Sequence, residues 1–415
     1  MVIIERVILH SDCNSFYASV ECLHHPEIRN KPVAVGGDVE QRHGIILAKN
    51  QLAKKYNIKT GEALWQAKRK CPELVILPPN YHLYMRFSKL ARQIYLDYTD
   101  QVEPFGLDEC WLDVTGSAVR GDGLTIAKEI SARIKYELGI TVSIGVSWNK
   151  IFAKLGSDYK KPDAITEITR QNFKEIVWPL PAGDLLYVGY STQRRLNSMG
   201  IHTVGQLANM PQNILHSNFG KWGDILFCFA NGMDTTPVAK FDNSPTVKSI
   251  GNSTTAPRDL LNDEDVKIVL LVLSDSVARR LREQGFKGRT VCISVRDNDL
   301  FCFTRQHTMK QYTNITSEIA KSGLQLFYKH YRWNKPIRSI GISVTDLVSD
   351  CVPAQTDLYC DERSRERKER LDAATDWLKS RFGTYAVQPA VLLADRRLSG
   401  FDPKKDHTIH PVGYF

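Results

Sequence analysis

The chain has 415 residues, 42% of them hydrophobic and 24% charged, with a formal net charge of +9. That profile excludes a disordered or fibrous protein, and the length asks for several domains at a norm of roughly 150 residues each. Apolar runs such as Ile268 to Leu273 fall far short of the roughly 18 residues a membrane span needs.

Charge interrupts residues 1–10 too early for a secretory signal, and the nine cysteines contain no CxxC pair. They read as buried thiols of a reducing compartment, so a cytoplasmic location is expected. The basic excess favours a polyanionic partner without identifying one.

In chain order, residues 6–11 read as a buried strand ending at Asp12, and the apolar spacing over 15–21 predicts a helix directly after it. Residues 22–77 read as a small inserted lobe, with strands near 31–36 and 45–48 and a basic helix from Gln51. Helices are predicted over 81–98 and 124–138, and strands over 110–114 and 140–146. The order is βαββαβ-like, an antiparallel sheet with helices on one face once the lobe is set aside. Residues 166–234 read as all-helical, with glycine turns at Gly189 and between Gly200 and Gly205.

A break at 241–245 precedes a second βαββαβ pattern, with strands near 246–252, 289–297, 300–308 and 337–345 and helices near 263–285 and 315–330. Residues 241–340 hold 16 Lys/Arg against 10 Asp/Glu, two thirds of the net charge. After 347 the pattern weakens: the run from Arg363 to Arg370 reads as a solvated helix face and the extreme C-terminus as loose.

Asp108 and Glu109 stand side by side ahead of a strand-like run, an arrangement that by itself is commonly a solvated turn. Asp12, however, ends the first strand, and in a sheet of this order that strand lies beside the one following Asp108 and Glu109. Three converging carboxylates repel unless cations offset them. A pair of Mg²⁺ ions is the natural counter-charge, and two such ions about 3.5–4 Å apart suit in-line phosphoryl displacement.

Three blocks carry a resemblance: His10-Ser-Asp-Cys-Asn-Ser-Phe-Tyr-Ala-Ser-Val-Glu21, Phe105-Gly-Leu-Asp-Glu-Cys-Trp-Leu-Asp-Val-Thr115 and Ser143 to Pro162. They resemble the signature blocks of the Y-family (translesion) DNA polymerases, and the later modules follow in the same order through about 345 residues. The resemblance implies an α+β right-hand polymerase. It would have a ferredoxin-like palm (1–21 and 78–165), small fingers (22–77), an all-helical thumb (166–234), a βαββαβ little finger (241–347) and a C-terminal tail (348–415). It further implies a monomeric, error-prone enzyme that extends primer-template DNA with dNTPs past damaged bases.

By the same resemblance, Asp12, Asp108, Glu109 and the carbonyl of Cys13 would ligate two Mg²⁺ ions. The primer 3′-oxygen would then attack the α-phosphate, with pyrophosphate leaving. Tyr17 would be the steric gate against a 2′-hydroxyl, with Phe16 beside it, and Lys161 would reach the triphosphate. The fingers depart from the common pattern, with Gln51 and Lys54 where many relatives present tyrosine and arginine, a form resembling the polymerase V branch. Lysine supplies charge without arginine's bidentate fork.

The glycine turns resemble helix-hairpin-helix elements, which would bring Gly189, Gly200 and Gly205 to DNA phosphates, although Tyr187 stands where a glycine is usual. Arg258, Arg296, Arg305 and Arg338 are the candidate DNA contacts of the little finger. Gln355-Thr-Asp-Leu-Tyr359 resembles a sliding-clamp peptide through Gln355, Leu358 and Tyr359, while Thr356 and Tyr359 depart from the usual residues. No exonuclease-like carboxylate set stands out, so no proofreading is expected. A catalytically silent DNA- or clamp-binding protein on the same fold is the alternative, against which the intact carboxylates count. A nucleotide cyclase would need neither the basic second module nor the clamp peptide.

Overall fold

The apolar run near the start forms β1 (Ile8–Cys13), a strand with every residue buried. It belongs to a computed structural model that describes residues 5–38, 42, 44–242, 246–352 and 361–406. α1 (Phe16–His24) follows at once. The inserted lobe holds β2 (Val33–Gly36), β3 (Ile46–Lys49), α2 (Gln51–Lys54), α3 (Leu64–Lys70) and β4 (Val75–Leu77), with strand order β3-β2-β4. The chain then returns through α4 (Tyr81–Leu96), β5 (Val102–Pro104), β6 (Glu109–Asp113), α5 (Gly123–Arg133), β7 (Val142–Ser147), α6 (Lys150–Tyr159) and β8 (Ile165–Glu167).

These strands form one sheet in the order β5-β6-β1-β7-β8, with β1 antiparallel to both neighbours. The expected βαββαβ unit is present. Its edge strands β5 and β8 are three residues each, too short for alternation to announce them.

The expectation of helices on one face is corrected. Leu9 packs with residues of α4 and α5 such as Ile94 and Ile126, whereas Ile8 packs with Ala153 of α6 on the opposite face. A strand covered on both sides shows no alternation, which is why β1 reads as one continuous apolar run. The arrangement also turns His10 and Asp12, which alternate with Leu9, toward α6.

α7 (Phe173–Ile176), α8 (Tyr190–Ser198), α9 (Val204–Ala208), α10 (Gln212–Phe219) and α11 (Lys221–Ala230) follow, all-helical as expected. Clustering of contacts separates everything to this point from a second unit that begins at Pro245.

The second unit runs β9 (Ser249–Leu260), α12 (Asp263–Glu283), β10 (Phe286–Asp297), β11 (Cys302–Thr313), α13 (Thr316–His330) and β12 (Ile337–Ser349). The element order matches the reading, but the sheet runs β11-β10-β12-β9, so the first strand lies at an edge instead of the centre. Alternation reports which face is buried and not which strand is the neighbour.

α14 (Glu362–Phe382) corrects the reading of residues after 347. Arg282 pairs with Asp372 at 3.1 Å and Asp376 at 2.7 Å, Lys379 with Asp275 at 2.7 Å, and Arg365 with Glu318 at 3.0 Å. Arg365 and Lys379 are buried within a helix that reads as solvated. A helix docked through charged pairs lacks the apolar period that would reveal it.

Gly145 sets how closely β7 approaches α6, since a Cβ there would collide with the carbonyl oxygen of Ala153. Gly145→Ala is therefore expected to lower the thermal midpoint of unfolding by roughly 2–12 °C. Gly116→Ala, where a Cβ meets open space, is the control for calorimetry and is expected to change little.

Candidate metal and nucleotide site

Register builds the carboxylate cluster. Asp12 lies opposite Glu109 across the β1/β6 pair, and the backbone N–H of Cys13 donates to the carbonyl of Asp108 at 2.9 Å. The turn between β5 and β6 is pinned from α4, where Arg92 donates to the carbonyl of Gly106 at 2.7 Å and Ser88 to that of Leu107 at 2.5 Å. Gly106 has φ 89°, a conformation that a side chain would strain.

The crowding shows in the carboxyl groups. Burial, and then the charge of Glu109, push Asp12 up to about 6 against the pull of Lys161. Asp108 is pushed up to about 7 by burial, Glu109 and Asp12.

Among the described residues, no three His, Cys, Asp or Glu side chains stand ready-made at metal-ligand spacing. Two ammonium groups stand among the carboxylates instead. Lys154 Nζ lies 2.7 Å from Glu109 Oε2 and 3.8 Å from Asp12, while Lys161 Nζ lies 2.6 Å from Asp12 and 2.7 Å from Asp158. Burial works against these ammoniums, but the surrounding carboxylates outweigh it and hold both above their ordinary values. Even with Lys154 this close, Glu109 Oε2 has no partner at hydrogen-bonding angles. Hard oxygen donors, two elevated carboxyls and an unsatisfied carboxylate oxygen together fit a divalent cation such as Mg²⁺.

Sequence reading missed Lys154 and Asp158. Their signal was available, because Lys154, Asp158 and Lys161 are spaced i, i+4, i+7 and so share a face of α6 and its C-terminal extension. It also missed His10, a fully buried imidazole whose Nδ1 is 2.8 Å from Ser157 Oγ and whose Nε2 is 3.3 Å from Glu109 Oε2. Burial and the charge of Lys154 hold His10 well below its ordinary value, so it stands neutral behind the carboxylates.

Tyr17 stacks on Tyr84 with ring centroids 4.3 Å apart and planes 9° from parallel. Tyr84 is itself buried, and its hydroxyl donates to Glu21 at 2.5 Å, so the platform beneath Tyr17 is fixed. Burial and the nearby charge of Asp108 push the Tyr17 hydroxyl up to about 12. Phe16 is corrected: its ring is 3% exposed and packs in the core against Tyr84, which leaves only its backbone to a ligand.

Asn50 caps α2 by accepting from the N–H of Ala53 at 2.9 Å, which sets Gln51 and Lys54 on one turn. Burial, and then the charges of Lys49 and Lys161, lower Lys54 from its ordinary value, the mark of cations gathered without enough anion.

Gly189 caps α8 at an ordinary φ of −78°, whereas Tyr187 adopts φ 67°, the left-handed conformation usually left to glycine. Gly200 has φ 78° between α8 and α9. Gly205 makes room for Trp178, whose Cβ would lie 2.9 Å from an added methyl, so its smallness serves packing.

In the second unit, Arg258 is committed internally. Its guanidinium forks onto Asp265 at 2.7 and 2.8 Å and reaches Asp395 at 2.7 Å, which corrects its assignment as a DNA contact. Arg305 lies opposite Ile293 on the helix-covered side, over Phe303. Arg296 pairs with Ser339 on the open face, and Arg338 is half-buried at the adjoining bulge. That open face carries Ser253, Thr255, Ser343, Thr345, Thr290 and Thr308, small hydroxyls that the alternation could have revealed. Gln355, Leu358 and Tyr359 lie outside the described residues.

Residues 11–158 match the impB/mucB/samB family model, 247–358 the C-terminal domain of the same family, and 183–234 the thumb domain of DNA polymerase-iota. A DNA polymerase IV of Acetivibrio thermocellus is 56% identical over 95% of this chain and 99% of its own. The chain belongs to the Y-family of DNA polymerases. DNA polymerase IV 2 of Bacillus subtilis is 38% identical over 94% of the chain and 95% of its own. A solved Y-family DNA polymerase chimera superposes with a TM-score of 0.72 at 23% identity, covering 83% of this chain and 99% of that one, and shows the same fold. The chain thus has the α+β right-hand polymerase architecture. Gln51 and Lys54, which resemble the polymerase V branch, occur in a chain whose relatives bear the polymerase IV name.

The raised carboxyls carry a sign. A folded-state value above the ordinary 3.8 means that Asp12 and Asp108 favour folding when protonated, and that this support is lost as pH rises through about 6 to 7. In metal-free buffer at pH 8, Asp108→Asn is therefore expected to raise the thermal midpoint by roughly 2–4 °C, and to have no such effect at pH 4.5. Scanning calorimetry with chelator at both pH values checks it.

Proposed function

We propose that this polymerase carries out error-prone translesion synthesis by two-Mg²⁺ nucleotidyl transfer and does not proofread. The observation that carries the reading is the set of carboxylates, with Asp12 opposite Glu109 and the charge of Asp108 felt by Tyr17. Asp12, Asp108, Glu109 and the Cys13 carbonyl would hold the ions. When bound, the ions neutralise the carboxylates and polarise the attacking and leaving oxygens.

The chain's own groups do the rest. Lys161 and Lys54 orient the triphosphate. Tyr17, braced on Tyr84, occupies the space a 2′-hydroxyl would need. When a triphosphate and metal ions enter, Lys161 is free to exchange its contact with Asp12 for one with phosphate oxygens, keeping its positive charge in either place. Positioning and charge neutralisation supply the acceleration, with no covalent intermediate on the protein.

We assign residues 1–21 and 78–165 to the palm, 22–77 to the fingers, 166–234 to the thumb and 241–347 to the little finger. The hydroxyl-lined open face of the second unit, with Arg296, suits phosphate contacts that position DNA without reading its sequence. A sliding clamp as partner rests on the peptide from Gln355 to Tyr359; a monomeric, cytoplasmic enzyme is the companion reading.

Primer extension with Mg²⁺ and dNTPs on undamaged and abasic templates tests the proposal. The native chain is expected to extend past the abasic site, and Asp108→Ala to lose at least about 10³-fold in rate. Retained DNA binding without extension by the native chain would favour the silent DNA-binding alternative. Tyr17→Ala is expected to admit ribonucleotides in the same assay; unchanged rejection would remove Tyr17 from the gate. Loss of nucleotides from a labelled primer 3′ end without dNTPs would refute the absence of proofreading.

A further inference from the structure

A cavity of about 400 Å³ opens beside the nucleotide site, wholly within the first unit. That lies within the range of small-molecule sites, roughly 300–1,000 Å³. Ser15, Ser19 and Cys22 line it from the α1 side, Gln51 from α2, and Arg29 and Asp163 from the surrounding loops. The polymerase reaction described above needs only its mouth.

Three observations indicate what the cavity would hold. Its mouth is cationic, because Lys161 precedes Pro162 and Asp163 in its wall and Lys54 stands one helical turn from Gln51. Two donors there wait for an acceptor. The Ser15 hydroxyl and the Gln51 side-chain nitrogen are buried without a hydrogen-bond partner, and Ser15, at φ 51°, does not spend its hydroxyl on capping α1. The far wall carries a third cation, the exposed guanidinium of Arg29, close enough to Cys22 for its charge to act on the thiol. The one acid in the wall, Asp163, is already paired with Lys135 at 2.7 Å.

With the α-phosphate at the carboxylates and Lys161 and Lys54 along the phosphate chain, the third phosphate ends at Ser15 and Gln51. A group beyond it meets open volume lined by polar side chains and Arg29, where a closed site would present packed protein. We propose that the enzyme accepts nucleotides extended past the third phosphate, such as deoxynucleoside 5′-tetraphosphates, with the extra phosphate seated in this cavity. The proposal rests on the nucleotide-site reading above.

The chemistry keeps its balance. The primer 3′-oxygen bonds to the α-phosphorus, the α–β bridging P–O bond breaks, and the hydroxyl proton passes to solvent. Tripolyphosphate leaves in place of pyrophosphate.

Single-nucleotide insertion opposite a template adenine, by the full chain, compares dTTP with deoxythymidine 5′-tetraphosphate. The expected kcat/KM for the tetraphosphate is within about tenfold of that for dTTP. Cys22→Trp fills the cavity and is expected to leave dTTP insertion unchanged while lowering tetraphosphate insertion by more than about tenfold. Arg29→Glu, on the far wall, is expected to lower tetraphosphate use likewise, and it carries the test if Cys22→Trp fails to fold. A larger than tenfold penalty in the native chain, or tetraphosphate use that these substitutions do not alter, overturns the proposal and leaves the polymerase reading intact. Failure to insert dTTP as well would instead overturn the polymerase reading.

Discussion

Like charge held at close quarters is the constraint from which the rest of the first unit follows. The antiparallel register that sets Asp12 opposite Glu109, with Asp108 one residue away, concentrates three carboxyls at one end of a buried strand pair. Burial and mutual repulsion lift Asp12 and Asp108 well above the ordinary carboxylate range, so the arrangement costs stability at neutral pH. Such a cost persists where function needs the groups together, and the surrounding scaffold has to over-determine their positions.

The over-determination is visible element by element. Arg92 and Ser88 of α4 hold the β5–β6 turn by its carbonyls, and Cys13 ties β1 to the backbone of Asp108. α6 closes the other face, where Gly145 permits an approach that brings Lys154, Asp158 and Lys161 against the carboxylates. The same two lysines satisfy the cluster in part without closing it, since Glu109 Oε2 stays unsatisfied. A site partly neutralised by its own mobile ammonium groups can hand those groups to an incoming triphosphate when metal takes over the carboxylates.

Much of this was legible in the sequence, and the failures have physical reasons. Asp12, Asp108, Glu109, Tyr17 and Lys161 announced themselves because they sit in contiguous blocks of specific spacing, and the structure gathers them at one end of the sheet. Element order in both βαββαβ units was readable, but strand order in the second was not, because alternation carries no information about which edge pairs with which. Helices on both faces of the first sheet were hidden in the continuous burial of β1. Lys154 and Asp158 went unseen because their role depends on how closely α6 packs, and Arg258 misled because its partner Asp395 lies more than a hundred residues away. α14 lacked an apolar stripe because charged pairs dock it.

The central claim is that the carboxylates assemble a two-cation site around a nucleotide. The most direct measurement is a count of bound Mn²⁺ by electron paramagnetic resonance, with primer-template and a non-hydrolysable dNTP, for the native chain and for Asp12→Asn. The account predicts two ions per native complex and no more than one with Asp12→Asn. Equal counts in the two proteins would contradict it.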